Sequence, residues 1–316
     1  MKDISTKRIK RVTSEELYEG EGELISEAIS QFENLSCAEL AWLLDETCVA
    51  KRKLPSEFRI AFRIRNLSDE EKKIYYMHYC KEKLNEGNKQ LELLKKVLCR
   101  LKYESQNQIT SVLDFGTGRG GFLSVLQKST LFPQAKFQGI DIDMASLLIN
   151  QKINDDLDNE DYSLVCYSGE KLPYDDQSFD LVASFSALEH VGNIEKQYHI
   201  LAECSRCLKP KGIAIFRFPN KHNIFTLEEH VKIPFLHFLP NKIKDVISYR
   251  LSGMPSSDIY PPGIFELREV LKKTPKIRYK LYSEVEFHRK KIIALVFRNY
   301  MFRIIGPGIV LVIMKN

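Results

Sequence analysis

Apolar residues recur at steps of three and four through "SDEEKKIYYMHYCKEKLNEGNKQLELLKKVLCRL", residues 68–101, and predict one long helix there. Ser68 followed by Glu71 makes a capping box at its start. The whole segment 1–104 is polar and lacks strand alternation, so it is expected to be an α-helical N-terminal extension. From Thr110 the texture changes. Short apolar runs alternate with amphipathic stretches, the pattern of a parallel sheet covered by helices. The expected strands are "TSVLDF", "KFQGIDI", "SLVCYS", "FDLVASF", "IAIFRF", "RYKLYSEVEF" and "GIVLVIM". They give an α/β domain over 105–316 with a seven-stranded Rossmann-like sheet and helices on both faces. An insertion at about 219–262, rich in aromatics, His and Pro, precedes the helix "GIFELREVLKKT". Loops of that length within a compact domain are usually functional, and this one is expected to form a lid.

Composition narrows the picture only slightly. The 316 residues suffice for a large core, and 47 Lys and Arg against 42 Asp and Glu leave a net charge of +5, too small for a global nucleic-acid signal. The N-terminus has no apolar secretory run, and "GIVLVIM" is far short of the roughly 20 residues that span a bilayer, so a cytoplasmic protein is expected. The seven cysteines do not suggest a disulfide framework. Cys204 and Cys207 form one C-x-x-C, but on a helical pattern without a second pair, which favours packed thiols over a metal or redox site.

The chemistry concentrates at strand ends, where parallel sheets bind their ligands. After the first strand, "LDFGTGRGGFL" places four glycines at 116–121. Gly116-x-Gly118-x-x-Gly121 satisfies a dinucleotide fingerprint, so nicotinamide and flavin cofactors remain open on this motif. Asp114, two residues earlier, would repel a pyrophosphate and suits a cationic ligand. After the second strand, "GIDID" supplies Asp141 and Asp143. An acidic side chain there accepts ribose hydroxyls, and Asp143 equally suits a helix cap.

The later stretches "YSGEKLPYDDQSFDLVASFSALEHV" and "LAECSRCLKPKGIAIFRFPN" resemble, in order and spacing, the corresponding regions of class I S-adenosylmethionine-dependent methyltransferases. The resemblance covers about 105–220 closely. It implies that the turn Asp114, Gly116, Thr117, Gly118 faces the methionine moiety, that Asp141 takes the ribose hydroxyls, and that Ile142 and Asp143 lie beside the adenine. It further assigns Ser168, Gly169 and Glu170 to the adenine-side loop, and Ser184 to the strand that passes the sulfonium. Many relatives carry an aspartate where Ser168 and Gly169 stand, so weaker adenine selection is expected. Lys211 replaces a common glycine, and Glu203 to Gly212 is expected to be structural.

Methyl transfer needs a base chiefly when the acceptor is a hydroxyl, and Glu189 and His190 in "SALEHV" are the catalytic candidates. Ser186 stands where some O-methyltransferases have a metal-binding glutamate, so no metal is expected. The Asn/Asp-Pro-Pro-Tyr signature of amino methylation is absent from the fourth strand end. His222, His230, Phe235 and His237 in the insertion are acceptor-binding candidates. The expected activity is methyl transfer to a small-molecule, glycan or lipid-like acceptor, most naturally at oxygen. An RNA or protein acceptor, a NAD-dependent oxidoreductase and a non-catalytic partner protein of the same fold are the alternatives. The basic amphipathic stretch 288–303 suits either a core helix with a solvated edge or contact with an anionic membrane surface.

Overall fold

The computed structural model describes residues 9–12, 69–103, 109–167, 171–223, 239, 241–252, 260–272, 278–287, 306 and 308–315. The chain divides into two compact units, one of residues 1–92 and 104–173, the other of residues 93–103 and 174–316.

In the first unit the strands are β1 (Ile9–Val12), β2 (Ser111–Phe115), β3 (Lys136–Asp141) and β4 (Tyr162–Tyr167). Their order is β1-β4-β3-β2, with every pairing parallel. Helix α1 (Asp69–Leu101) begins in this unit, α2 (Gly121–Lys128) follows β2, and α3 (Met144–Asp156) joins β3 to β4. Parallel neighbours need such crossovers, because a hairpin cannot return the chain to the same end. Val112, Leu113, Leu123, Leu126, Leu147, Leu148 and Leu164 are buried completely and form the core.

The second unit contains β5 (Phe179–Phe185), a 3-10 turn (Leu188–His190), α4 (Ile194–Cys207), β6 (Leu208–Pro219), α5 (Asn241–Ser252), α6 (Ile264–Lys272), β7 (Arg278–Ser283), a second 3-10 turn (Glu284–Phe287) and β8 (Gly308–Met314). Strand order is β5-β6-β8-β7, with β5 and β6 parallel and β8 antiparallel to both its neighbours. Six consecutive residues of β8, Gly308 to Ile313, are buried, as a strand between two others requires.

All seven expected strands are present, and the Rossmann-like α/β class expected from the sequence is the class observed. Three differences have physical reasons. Residues 9–12 form a strand within the segment expected to be helical, paired in register from Ile9 with Leu164 to Val12 with Tyr167; its four residues are too short to show a period. Strand β6 starts at Leu208, earlier than expected, and takes in the Lys-Pro-Lys-Gly segment. There Lys211 holds φ 66, the left-handed conformation that glycine adopts freely, which explains why a glycine suits that position. Residues 284–287 leave the expected strand and turn as a 3-10 helix.

Cys204 and Cys207 are buried free thiols on α4, and burial pushes both up, Cys207 to about 11. No helix among the described residues is long and apolar enough to cross a membrane. The stretch 288–303 and Ser68 lie outside the described residues.

Gly87, in the middle of α1, costs helix propensity, and the fold explains it. A Cβ there would lie 2.0 Å from the carbonyl oxygen of Gly121, and one on Gly121 would lie 2.4 Å from that of Lys83. Two backbones therefore meet at the start of α2, where the glycine turn ends. Gly87→Ala is expected to lower stability by about 2 kcal/mol or more in urea denaturation, since backbone must move to admit the methyl. An unchanged midpoint would mean that the helices do not meet at these glycines.

Candidate cofactor and acceptor sites

The glycine turn leaves β2 and is held to β3 by backbone bonds. The N–H groups of Gly116 and Thr117 both donate to the Ile140 carbonyl, at 2.9 and 3.1 Å. Gly116, Gly118 and Gly120 all have positive φ, so side chains would strain the turn. A Cβ on Gly118 would meet nothing within 4 Å, so this residue faces open space, whereas one on Gly120 would strike Asn150 Oδ1 at 2.3 Å. One side of the turn is free for a ligand, and the other is packed against α3.

Asp141 closes the turn from the end of β3. Its Oδ2 accepts from Gly118 N–H at 2.7 Å and its Oδ1 from Asp143 N–H at 3.0 Å. Burial pushes its carboxyl up, opposed by these backbone donors, with the Asp143 charge adding to the rise. Each oxygen retains acceptor capacity beyond its backbone bond. Ile142 follows, 74% exposed, a large apolar side chain presented beside that carboxylate. Asp143 caps α3, where Oδ2 accepts from the hydroxyl and N–H of Ser146 at 2.6 and 3.3 Å.

Asp114 lies beneath the turn, 2% exposed, and its Oδ2 accepts from the Thr117 hydroxyl at 2.7 Å. Burial dominates its chemistry. Opposed by the Thr117 bond and assisted by the Asp141 charge, burial raises the carboxyl to about 7. Ser168, Gly169 and Glu170 lie outside the described residues.

The remaining candidates belong to the second unit. Ser184, in β5, is 1% exposed, and its hydroxyl has no hydrogen-bond partner among the described residues. Glu189 is buried in the 3-10 turn, while the adjacent His190 is exposed. The turn is anchored by Tyr260, whose N–H donates to the Glu189 carbonyl at 2.8 Å. Gln197 on α4 completes the anchor, donating to the carbonyls of Tyr260 at 2.6 Å and Gly192 at 3.0 Å. His222 is half-buried near Gly263, with its ring 6.1 Å from that of Phe265. His230, Phe235 and His237 lie outside the described residues.

The structure adds residues that motif reading passed over. Arg217 in β6 donates to Ser186 Oγ at 2.8 Å and through Nε and Nη2 to Glu284 Oε2 at 3.1 and 3.0 Å. Ser186 has φ 59, and its N–H donates to the Arg217 carbonyl at 2.8 Å. The guanidinium thus braces a left-handed residue at the mouth of the "SALEH" segment. An arginine between Phe216 and Phe218 in a buried strand was the available signal. Glu203 and Arg206, in the segment expected to be structural, form a clamp, with Arg206 donating to the Tyr174 carbonyl at 2.8 Å, to Asp176 Oδ1 at 2.7 Å and to Glu203 Oε2 at 2.8 Å.

Residues 113–216 match the family described as "Methyltransferase domain". Over that segment the chain is similar to methyltransferase domains. The match runs from the glycine turn to β6 and so includes most of the geometry above. A malonyl-[acyl-carrier protein] O-methyltransferase of Marinomonas sp. (strain MWYL1) is 33% identical over 110 residues, which are 35% of this chain and 38% of that protein. A sarcosine/dimethylglycine N-methyltransferase of Aphanothece halophytica is 29% identical over 116 residues, with the same coverage of each chain, 35% and 38%. The chain thus spans well under half the length of these curated relatives. A solved methyltransferase from Aquifex aeolicus, described as S-adenosylmethionine-dependent, aligns at 15% identity with a TM-score of 0.46, over 74% of this chain and 98% of that one. The curated relatives similar over this segment thus include both an O- and an N-methyltransferase.

The raised Asp114 carboxyl has a consequence for stability. In the unfolded chain it titrates near 3.8, in the folded chain near 7, so the folded state holds the proton more tightly between those values. Its contribution to stability is fully present below about 3.8 and is lost as pH rises through about 7. Asp114→Asn is therefore expected to gain thermal stability relative to the parent as pH goes from 5 to 8, followed by melting of the ligand-free proteins. A difference independent of pH would show that Asp114 titrates normally.

Proposed function

We propose that the protein transfers a methyl group from S-adenosylmethionine to a small-molecule, glycan or lipid-like acceptor at oxygen. The observation that carries the cofactor half is the arrangement at the end of β3. A carboxylate oriented by two backbone N–H groups stands between an open-sided glycine turn and the exposed Ile142. Such a carboxylate suits paired ribose hydroxyls, and the exposed isoleucine suits an adenine face. The buried carboxyl of Asp114 beneath the turn opposes a pyrophosphate and favours a cationic ligand, which supports this cofactor over a dinucleotide.

The cofactor's sulfonium supplies an activated methyl group, so the protein's work is to hold donor and acceptor in line. In this reading Asp141 orients the ribose while Gly118 leaves room on the ligand side. For the acceptor, the exposed His190 offers an imidazole nitrogen that can accept a hydroxyl proton. Its N–H donates to the Ala187 carbonyl at 3.0 Å, and the neighbouring Glu189 carbonyl is held by Tyr260, which supports a base carried on a fixed turn. Oxygen is favoured because a hydroxyl, unlike a free amine, needs that base.

Two measurements test the proposal. Calorimetric titration is expected to show tighter binding of S-adenosylhomocysteine than of NAD, and Asp141→Ala should weaken it by about 1 to 3 kcal/mol through loss of a charged acceptor. Preference for NAD, or full affinity in the variant, would overturn the cofactor assignment. Cell extract incubated with labelled S-adenosylmethionine should yield a labelled O-methyl product, with turnover reduced in His190→Ala and cofactor affinity retained. A labelled N-methyl product would overturn the oxygen assignment.

A further inference from the structure

Behind the glycine turn runs a file of buried amides. Asn150 and Asn154 lie one helical turn apart on α3, both fully buried, and Asn159 follows the helix at 6% exposure. Gln127 Nε2 and Asn159 Nδ2 donate to Asn154 Oδ1 at 2.8 and 2.7 Å, and Asn154 Nδ2 donates to Asn150 Oδ1 at 2.7 Å. Asn150 Nδ2 donates to Thr117 Oγ1 at 3.0 Å, and the Thr117 hydroxyl donates to Asp114 Oδ2 at 2.7 Å.

The direction of this file is determined by the backbone. Each asparagine's nitrogen also faces a carbonyl, which can only accept. Asn150 donates to Gly118 O at 3.2 Å, Asn154 to Asn150 O at 2.9 Å, and Asn159 to Ser124 O at 3.2 Å. No amide can flip without setting two acceptors against each other. Because Asn150 donates to the Thr117 oxygen, the threonine's own proton is left to point at Asp114. Every donor in the file therefore aims toward one carboxylate, and aligned hydrogen bonds polarise one another in that direction.

We propose that Asn150 is a positioning residue that acts through Thr117 to favour the ionised form of the Asp114 carboxyl against the burial that opposes it, tying affinity for a cationic methyl donor to this buried file. The role of the donor rests on the S-adenosylmethionine reading above; the ionisation rests on the hydrogen bonds alone. Among the described residues Asp141 on β3 is the charge that acts on Asp114, and it favours the protonated form; Arg119 lies in the turn itself, and Lys83 and Glu86 on α1 pair with each other at 3.1 Å. From α3 the group shown against the turn is the neutral amide of Asn150. With burial and Asp141 both opposing the charge, the oriented hydroxyl is the group that works against them in part.

The test titrates the Asp114 carboxyl by carbon NMR in the ligand-free protein and measures S-adenosylhomocysteine affinity against pH in parallel. Thr117→Val and Asn150→Leu are each expected to raise the midpoint by about one pH unit, while Thr117→Ser, which keeps the hydroxyl, leaves it in place. At pH 6 the raised midpoint should weaken S-adenosylhomocysteine by about tenfold relative to the parent, the ligand's own amine titration cancelling in the ratio. The double variant should shift no further than Thr117→Val alone, because Asn150 acts through that hydroxyl. If Asn150→Leu does not fold, Asn150→Ser, too short to reach Thr117, makes the same measurement.

An unmoved midpoint in Thr117→Val, or additive shifts in the double variant, would overturn the proposal. Midpoints that shift as expected in a protein that binds no S-adenosylhomocysteine at any pH would instead overturn the cofactor reading and leave the ionisation device standing.

Discussion

The bond from Gly118 N–H to the Asp141 carboxylate is the constraint on which the candidate cofactor site depends. It joins the loop after β2 to the end of β3, and it forms only because Asp114 pairs with Gly139 in register and brings both strand ends to one level. A bulky residue at 139 would break this arrangement, since a Cβ there would lie 2.8 Å from Thr117 Cγ2 and 2.9 Å from Leu164 Cδ2. The same bond satisfies a backbone donor and aims a carboxylate outward. A charge-assisted bond of this kind is stronger than a neutral one and sets geometry as well as energy.

Around this bond the turn is held from two further sides. Gly87 on α1 meets Gly121 backbone to backbone, and Asn150 on α3 fills the space that a Cβ on Gly120 would need. Glycines here serve two ends, a strained conformation and close approach. The resulting wall is rigid on its packed side and open on the ligand side. In the second unit rigidity comes from polar groups instead. Arg217 braces Ser186 against Glu284, and Gln197 with Tyr260 fixes the 3-10 turn that carries Glu189 and His190. The ends of the insertion are drawn together, with Lys221 N–H on the Pro262 carbonyl and Lys221 paired with Glu266.

Much of this was legible in order of residues. Seven apolar runs became strands, because a sheet buried on both faces demands uninterrupted Val, Ile and Leu. The glycine turn and the strand-end acids were legible because backbone conformation and charge are local properties. The strand at Ile9–Val12 was not. Four residues reveal no period, and its existence depends on a free edge of β4 far along the chain. Nor was the burial of Asp114, whose carboxyl is exposed or sealed according to how the turn folds over it. Asn150 and Asn154 left one trace: two amides spaced four apart among buried leucines and isoleucines, a placement that only a shared hydrogen-bond partner makes economical.

The sequence by itself determined the fold class, the resemblance to methyltransferases and the positions of the glycine turn and strand-end carboxylates, because the elements and the turn follow from short-range periodicity, backbone freedom and charge. Tertiary structure alone decided which polar groups share protons. Thr117, Asn150, Asn154 and Asn159 are separated along the chain, and their alignment toward Asp114 arises only when α3 packs against the turn and water is excluded. Hydrogen-bond direction depends on which atoms meet in a dry interior, and chain order alone does not specify that.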